Sequence, residues 1–379
     1  MNLESLEVQQ LLLGRDVREV LAPADRRRLS GLRLLVTGAG GTIGSELARQ
    51  LAECEPESLG ILDHSEYALF RIERELRERW PSLKIESLLA DVSRRADVRS
   101  AVGSLRPHAV YHAAAYKHVT MTERSIVPAA RVNVLGTLET VLAAREAGAR
   151  FVLISSDKAA EPRSVMGATK RMAEMVALNA GGRLFRPVAV RFGNILGSSG
   201  SLVEIMARCI AENRNIPLTD PDATRFFMTA GEAVSLVLKA DHIGRRSEVF
   251  WLDMGQPLRI GDLADRLIEI ATPPGTPHVG TEIIGLRPGE KMHEHLTTQG
   301  LEMGATRHPR IWSARQAQIP SQLLQTMVRG LRRAVAAGDA TGVLTTLQSS
   351  GEFIASAEAW AAARQATLAT KSTTLSASA

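Results

Sequence analysis

An α/β fold, a doubly wound parallel sheet joined to a smaller α/β lobe, is what this sequence predicts, and three observations carry the expectation. From Leu32 onward short apolar runs alternate with helix-like segments, a glycine-rich turn joins the first run to the first long helix, and the alternation breaks up after Asn194. Strands alternating with helices produce a parallel sheet wrapped on both faces.

The elements follow in order. Residues 1–30 form a charged, leucine-containing arm ("LEVQQLLLGRDVREVLAPADRRRLS"). "LRLLVTG" reads as a buried strand, "TIGSELARQLAE" as a helix, "SLGILD" as the second strand and "SEYALFRIERELRERW" as the helix after it. "IESLLAD" and "HAVYHAA" are further strands, a long helical stretch runs from about Pro128 to Ala147, and "RFVLISS" and "PVAVRFGN" complete the set. This pattern places a Rossmann-type dinucleotide-binding domain at 31–194, with 230–254 returning to it. Residues 195–229 and 255–310 are the substrate-binding lobe, built around "GSSGSLVEIM", "PDATRFFMT" and "GLRPGEKMHEHL". Residues 311–365 are expected to be C-terminal helices, and 366–379, small and polar, a disordered tail.

Composition excludes several classes. At 379 residues with 45% hydrophobic and 23% charged content, the chain buries a sizeable core as an ordinary globular protein. No apolar run approaches the roughly 20 residues that cross a bilayer, and no signal-peptide pattern opens the chain, so the expectation is a cytoplasmic protein without a membrane span. Cys54 and Cys209 show no metal spacing and read as reduced core thiols, so no metal is expected. A net charge of +5 with only 4% aromatic residues suits a small polyanionic substrate and lacks the stacking surface of a nucleic-acid binder.

The glycine-rich turn is the first site. "LLVTGAGGTIGSEL" sets Gly38, Gly41 and Gly44, with Thr42 and Ile43 between the last two, between a strand and a helix. Glycines there give a tight turn and let the backbone approach a pyrophosphate at the helix N-terminus. Asp63 ends the next strand about 20 residues on, the spacing at which a carboxylate holds the ribose hydroxyls of NAD. No arginine follows Asp63 directly, which favours NAD over NADP. Asp91 and Val92, after the third strand, suit an adenine contact, and Ala113, Ala114 and Ala115 give the cofactor close backbone access. His112 reads as a satisfied interior residue.

These motifs, with "HAAAYKH" and "VNVLGT", resemble the extended short-chain dehydrogenase/reductase family. More closely, "LLLGRD", "AAAYKHV", "SSDKAAEPRSVMGATKRMAE", "VRFGNILGS", "TRFFMT" and "GLRPGEK" resemble the polysaccharide-biosynthesis dehydratases of the CapD/FlaA1 type over about residues 8–300. The resemblance implies a homo-oligomeric, NAD-dependent nucleotide-sugar 4,6-dehydratase, acting on UDP-N-acetylglucosamine for surface polysaccharide and keeping NAD tightly bound and recycled. Related enzymes associate through helices on the sheet, and the N-terminal arm is expected to exchange between subunits. Larger members carry an N-terminal membrane region, and this chain is expected to be the catalytic part. The rival readings are an epimerase or dehydrogenase on the same fold, and a non-catalytic NAD-binding regulator.

The same resemblance supplies residue roles. The wider family uses Tyr-x-x-x-Lys on one helix; here Met166 and Lys170 keep that spacing, and a thioether cannot transfer a proton. Proton transfer is therefore expected to move to Asp157 as acid and Lys158 as base, in an order the residue types leave open. Ser156 would bond substrate, Lys170 would hold the nicotinamide ribose, and Met166 would pack against sugar or nicotinamide. Asn133 is expected to support the active-site backbone. Arg225 and Arg287 match a diphosphate, because a guanidinium fork fits its oxygens. Lys117, Asn194 and Glu290 complete the expected substrate contacts, with Lys291 a weaker candidate. The chain departs from the group at Ser199, where an arginine is usual, and at Glu204, where a proline is usual. That loosens the identity of the sugar more than the type of reaction.

Overall fold

The computed structural model describes residues 3, 5–17, 21–272, 278–287, 289–295, 303–314, 319–351, 353, 361, 363 and 365. The 366–379 tail lies outside them.

The apolar runs form the strands their composition requires: β1 (Arg33–Thr37), β2 (Ser58–Asp63), β3 (Ile85–Leu89), β4 (Ala109–His112), β5 (Arg150–Ile154) and β6 (Val188–Arg191). They lie in the order β3-β2-β1-β4-β5-β6, and the next strand, Glu248–Leu252, pairs parallel with β6. The order reverses between β1 and β4, which makes a crevice at the carboxyl ends of those strands, where open α/β sheets bind ligands. One apolar cluster packs each face of the sheet, with Leu34, Val36, Leu59 and Ile61 on one side and Leu35, Val110, Phe151 and Leu153 on the other. This is the period-2 alternation of a strand covered on both faces.

Two further strands extend the sheet. Ile311–Ala314 runs antiparallel to Glu248–Leu252, with Trp312 opposite Trp251, and Met303–Ala305 pairs outside it. These residues fall in the stretches that the sequence assigns to the lobe (255–310) and to C-terminal helices (311–365). "RIWSA" buries Ile311 and Ala314 alternately, a strand signal too short to stand out beside the helical segments that follow.

Those segments, Ser321–Ala336 and Ala340–Gln348, pair as an antiparallel hairpin. Its apolar face (Leu324, Met327, Leu331, Val343, Leu347) packs on Ile126–Ala130 and Val165–Asn179. Helices on that side of the sheet are thus covered by the chain's own C-terminal region.

The long helical stretch also differs from expectation. Ile126–Glu146 is 21 residues with mean hydropathy 1.3, long and apolar enough by composition to cross a membrane. Arg131, Asn133 and Arg145 interrupt the run in the sequence and hid this. In the fold 72% of the apolar window is buried against protein, as in a core helix. Its middle turn, Arg131–Gly136, is a π-helix, a feature frequent at functional sites.

The N-terminal helix Leu6–Leu13 docks on the lobe of its own chain. Leu12 and Leu13 join Met206, Leu263 and Leu267 in one buried cluster, Arg266 donates to the Leu12 carbonyl at 3.0 Å, and Arg15 pairs with Glu232 at 2.8 Å. Within the chain, the lobe itself supplies the apolar surface that this arm covers.

Candidate active site

The glycine turn leaves β1 and enters the helix Thr42–Ala52, whose N-cap, Gly41, offers no side-chain oxygen to the first turn. The helix N-terminus therefore keeps its N–H groups for an incoming ligand, with the positive end of the dipole facing it. Gly38 holds φ +67, and a Cβ there would stand 2.6 Å from the Ala114 backbone. At Gly44 a Cβ would stand 1.9 Å from the Gly38 carbonyl oxygen, so no side chain fits.

A cavity of about 730 Å³ opens here, lined on one wall by Gly38, Gly41, Thr42, Ile43 and Gly44, and elsewhere by Ala113, Ala115, Lys117, Ser156, Lys158, Met166, Lys170 and Asn194. The other expected cofactor residues, Asp63, Asp91, Val92 and Ala114, are not part of this lining. Asp63 accepts from Gly40 N at 2.9 Å through Oδ2 and from Ser65 N at 2.9 Å through Oδ1, so it braces the glycine turn, while Ser65 caps the following helix. Asp91 accepts from Ser93 N at 2.8 Å. Val92 is buried against Gly136. Ala114 packs beneath Gly38. His112 is enclosed between Thr37 (2.7 Å) and Thr137 (3.1 Å), and burial, with the Lys170 charge, pushes its pKa down to about 3, so it stays neutral.

Asn133, on the π-turn, clamps the cavity wall. Its side chain accepts from Tyr116 N at 2.7 Å and donates to Tyr116 O at 3.1 Å and to Thr169 Oγ1 at 3.0 Å. Lys170 and Met166 stand on Val165–Asn179, a helix capped by Ser164 and buried along nearly its whole length. The Lys170 ammonium donates to the Ile154 carbonyl at 2.5 Å, and burial draws its pKa down to about 8. Met166 is buried and faces the cavity as an apolar surface.

At the end of β5 the chain turns through Asp157–Ala159, a single 3₁₀ turn capped by Ser156. Asp157 Oδ1 accepts from Ser156 Oγ (2.8 Å), from Lys158 N (2.8 Å) and from Lys158 Nζ (3.2 Å). Sequence reasoning missed the third member of this group. Glu294, from the stretch after "GLRPGEK", takes Lys158 Nζ at 2.8 Å and Arg225 Nε at 3.3 Å on Oε1, and Asn194 Nδ2 at 3.4 Å on Oε2. The signal for it was weak: one acid between two histidines, 137 positions from Asp157 (294 − 157). The bridge between Thr224 and His293, with the hydrogen bonds of Thr224 and Arg225 to the Met292 carbonyl, holds its segment at the site.

Electrostatics reverse the state expected of the pair. Burial disfavours the Lys158 ammonium, but Asp157 and then Glu294 outweigh it and hold its pKa above the lysine range. Burial likewise favours a neutral Asp157, yet the Lys158 charge, followed by hydrogen bonds, keeps that carboxyl below the usual carboxylate range. The pair is therefore an ammonium and a carboxylate, where an acid–base reading of Asp157 as acid and Lys158 as base wanted the opposite. The group that moves toward neutrality is Glu294, raised to about 7 by burial and then by the Asp157 charge.

Behind the turn, Ser155 Oγ donates to Glu174 at 2.6 Å, and the buried Arg191 closes on the same carboxylate at 2.6 and 2.5 Å while stacking on Trp251 at 4.5 Å.

A second cavity of about 590 Å³ adjoins the first and shares Lys117, Lys158 and Asn194 with it. Asp157, Arg225, Arg287, Glu290, Lys291 and Glu294 also line it, so the expected substrate residues converge here. Arg225 is nearly buried and tied to the Thr224 and Met292 carbonyls, whereas Arg287 is exposed. Glu290 accepts from Arg287 N at 3.1 Å and shapes that turn. At the departure from the group pattern, Ser199 N donates to Thr42 Oγ1 at 3.3 Å and Glu204 accepts from Gly200 N at 2.5 Å.

A family model described as "Polysaccharide biosynthesis protein" matches residues 34–316. The chain belongs to that family. The capsular polysaccharide biosynthesis protein CapD of Staphylococcus aureus is 42% identical over 299 residues, 78% of this chain and 50% of that protein. This family member therefore spans about half the length of that relative. An inverting UDP-N-acetylglucosamine 4,6-dehydratase of Campylobacter jejuni is 30% identical over 272 residues (70% of this chain, 77% of that one). A UDP-glucose 4-epimerase of Rickettsia canadensis is 30% identical over 275 residues (70% and 77%). Among solved structures, Pen from Bacillus thuringiensis superposes with TM-score 0.69 at 29% identity, covering 79% of this chain and 98% of its own. DesIV of Streptomyces venezuelae, a dTDP-glucose 4,6-dehydratase solved with NAD and TYD, shares the fold with TM-score 0.63 at 21% identity, covering 70% and 88%.

Proposed function

We propose that this chain is an NAD-dependent nucleotide-sugar 4,6-dehydratase, with UDP-N-acetylglucosamine as its first substrate. The observation that carries the reading is the seam between the two cavities. Asp157, Lys158 and Glu294 stand where a dinucleotide-sized site lined by glycines meets a site lined by arginines. The fit to NAD rests on the cradle at Gly38 and Gly44 that a Cβ would fill and on the uncapped helix N-terminus. When bound there, NAD supplies reversible hydride acceptance from the sugar. Asp63 orients the turn that would meet the pyrophosphate, Lys170 meets the nicotinamide ribose, and Arg225 and Arg287 meet the diphosphate of the sugar nucleotide.

The protons balance over the whole reaction. Two leave the sugar, from the C4 hydroxyl and from C5, and two return, to the departing C6 oxygen and to C5. Ionised Asp157 suits removal of a proton and the Lys158 ammonium suits protonation of the leaving hydroxyl, the reverse of the order first expected. Met166 contributes no proton and keeps water from one face of the sugar. C5 stereochemistry follows from which face Asp157 addresses.

The test is mass spectrometry after incubation with a panel of UDP-, GDP- and dTDP-sugars. The expected product is lighter by one water with no net NADH. An isomer of unchanged mass would favour an epimerase, and net NADH a dehydrogenase. No reaction with any of them would leave an NAD-binding regulator as the better reading. Gly44→Ala tests the cofactor site separately. Displacing the Gly38 carbonyl by about 1 Å is expected to weaken NAD binding on the order of a hundredfold, read by calorimetry.

A further inference from the structure

The family roles account for Asp157 and Lys158 and leave unexplained the buried carboxyl that touches them. Glu294 has a side chain 7% exposed, yet it faces a second carboxyl, Asp157, within hydrogen-bonding reach. Two ionised carboxylates in such contact repel, and a shared proton removes the conflict. An independent observation points the same way: among the described residues, Asp157 Oδ2 is buried with no hydrogen-bond donor. A protonated Glu294 is the group placed to provide one.

We infer that Glu294 is a positioning residue that acts through Asp157 and Lys158, and that its neutral form, donating to Asp157, is the state of the site competent for proton transfer. The inference deepens the dehydratase reading and rests on it for its kinetic consequence. Neutral Glu294 leaves Lys158 with one full negative partner, so its ammonium is free to turn toward a bound sugar. On ionisation Glu294 releases its proton to solvent. Lys158 is then held between two carboxylates, at 2.8 and 3.2 Å, and Asp157 Oδ2 loses its donor.

The charged groups around Glu294 come from four elements. Asp157 and Lys158 face it from the turn after β5, Arg225 from the short strand Thr224–Arg225, and His293 and Lys291 lie on its own segment. Glu161 pairs with Lys291 at 3.9 Å, and Arg163 stands near that lysine. The carboxyl titrates near 7, within the range where an enzyme works.

Two experiments separate this inference from the reaction itself. First, carbon NMR of protein labelled at glutamate carboxyls needs no substrate. One resonance is expected to titrate near 7, to vanish in Glu294→Gln and to move to lower pH in Asp157→Asn, which removes the neighbouring charge. If every glutamate titrates near the ordinary value of about 4.3, the inference is overturned whatever the reaction proves to be. Second, with a substrate that is dehydrated, wild-type kcat/KM is expected to fall about tenfold for each pH unit above that ionisation. Glu294→Gln keeps a donor for Asp157 and an acceptor for Lys158 without the charge. Its profile should lose that limb and exceed the wild-type rate at pH 9, whereas Glu294→Ala should be slow at every pH. A limb that persists unchanged in Glu294→Gln would reduce Glu294 to packing.

Discussion

Lys158→Ala is expected to lower the turnover of the favoured nucleotide sugar by about a thousandfold or more, while Met166→Leu stays within about threefold of the wild type. Lys158 contacts both buried carboxylates, so its loss removes a proton donor and leaves Asp157 without its ammonium partner and Glu294 with Arg225 as its remaining cation. Met166 offers only apolar surface, which leucine reproduces in nearly the same volume. Steady-state kinetics on the two variants, with NAD content measured in each, checks the pair of results. Equal losses in both would show that the thioether has a chemical part and that acid–base duty has not moved to the strand end.

Arg191→Met is expected to destabilise the fold by about 3–5 kcal/mol, because it strips the main partner from a carboxylate that cannot reach water. Glu174 is fully buried, and its carboxyl is held ionised against the cost of burial first by the Arg191 charge, then by the Arg191 hydrogen bonds and by Arg171. The same carboxylate anchors Ser155, the residue before the Ser156-Asp157-Lys158 turn, so partial unfolding here disorders the chemistry. Chemical denaturation of the variant measures the loss. Pairing it with Glu174→Gln should recover part of it, since removing both charges is cheaper than stranding one.

Most of the sheet was legible because its strands announce themselves twice, by apolar composition and by the turns that bound them. β1 to β6 carry this double signal, whereas for the strand Glu248–Leu252 only the return of 230–254 to the sheet domain was read. The antiparallel edge was not legible, since Ile311–Ala314 and Met303–Ala305 are each too short for a period to register. The hydropathy of Ile126–Glu146 was hidden for a different reason: polar residues such as Asn133 interrupt the run yet are satisfied inside the fold.

The site shows the same division. Asp157, Lys158, Met166 and Lys170 are near in sequence, and a strand end followed by a helix fixes their relation. Gly38, Gly41 and Gly44 are readable because a turn constrains neighbours. Glu294 belongs to another order of contact. Nothing in spacing relates it to Asp157, and its importance appears only when burial brings two carboxyls and one ammonium together. Proton affinities were equally out of reach, because the same Lys158 that identifies the site is raised, not lowered, by the partners it meets.

A 4,6-dehydration eliminates water across C5 and C6 and returns hydrogen from C4 to C6 inside one closed site. The most direct measurement is NMR of the product formed from UDP-N-acetylglucosamine in deuterated water. The expected product is a 4-keto-6-deoxy sugar with deuterium at C5 and a methyl group that carries only protium, its third hydrogen having come from C4. A product that keeps its C6 hydroxyl, or a methyl group bearing solvent deuterium, would contradict this dehydration.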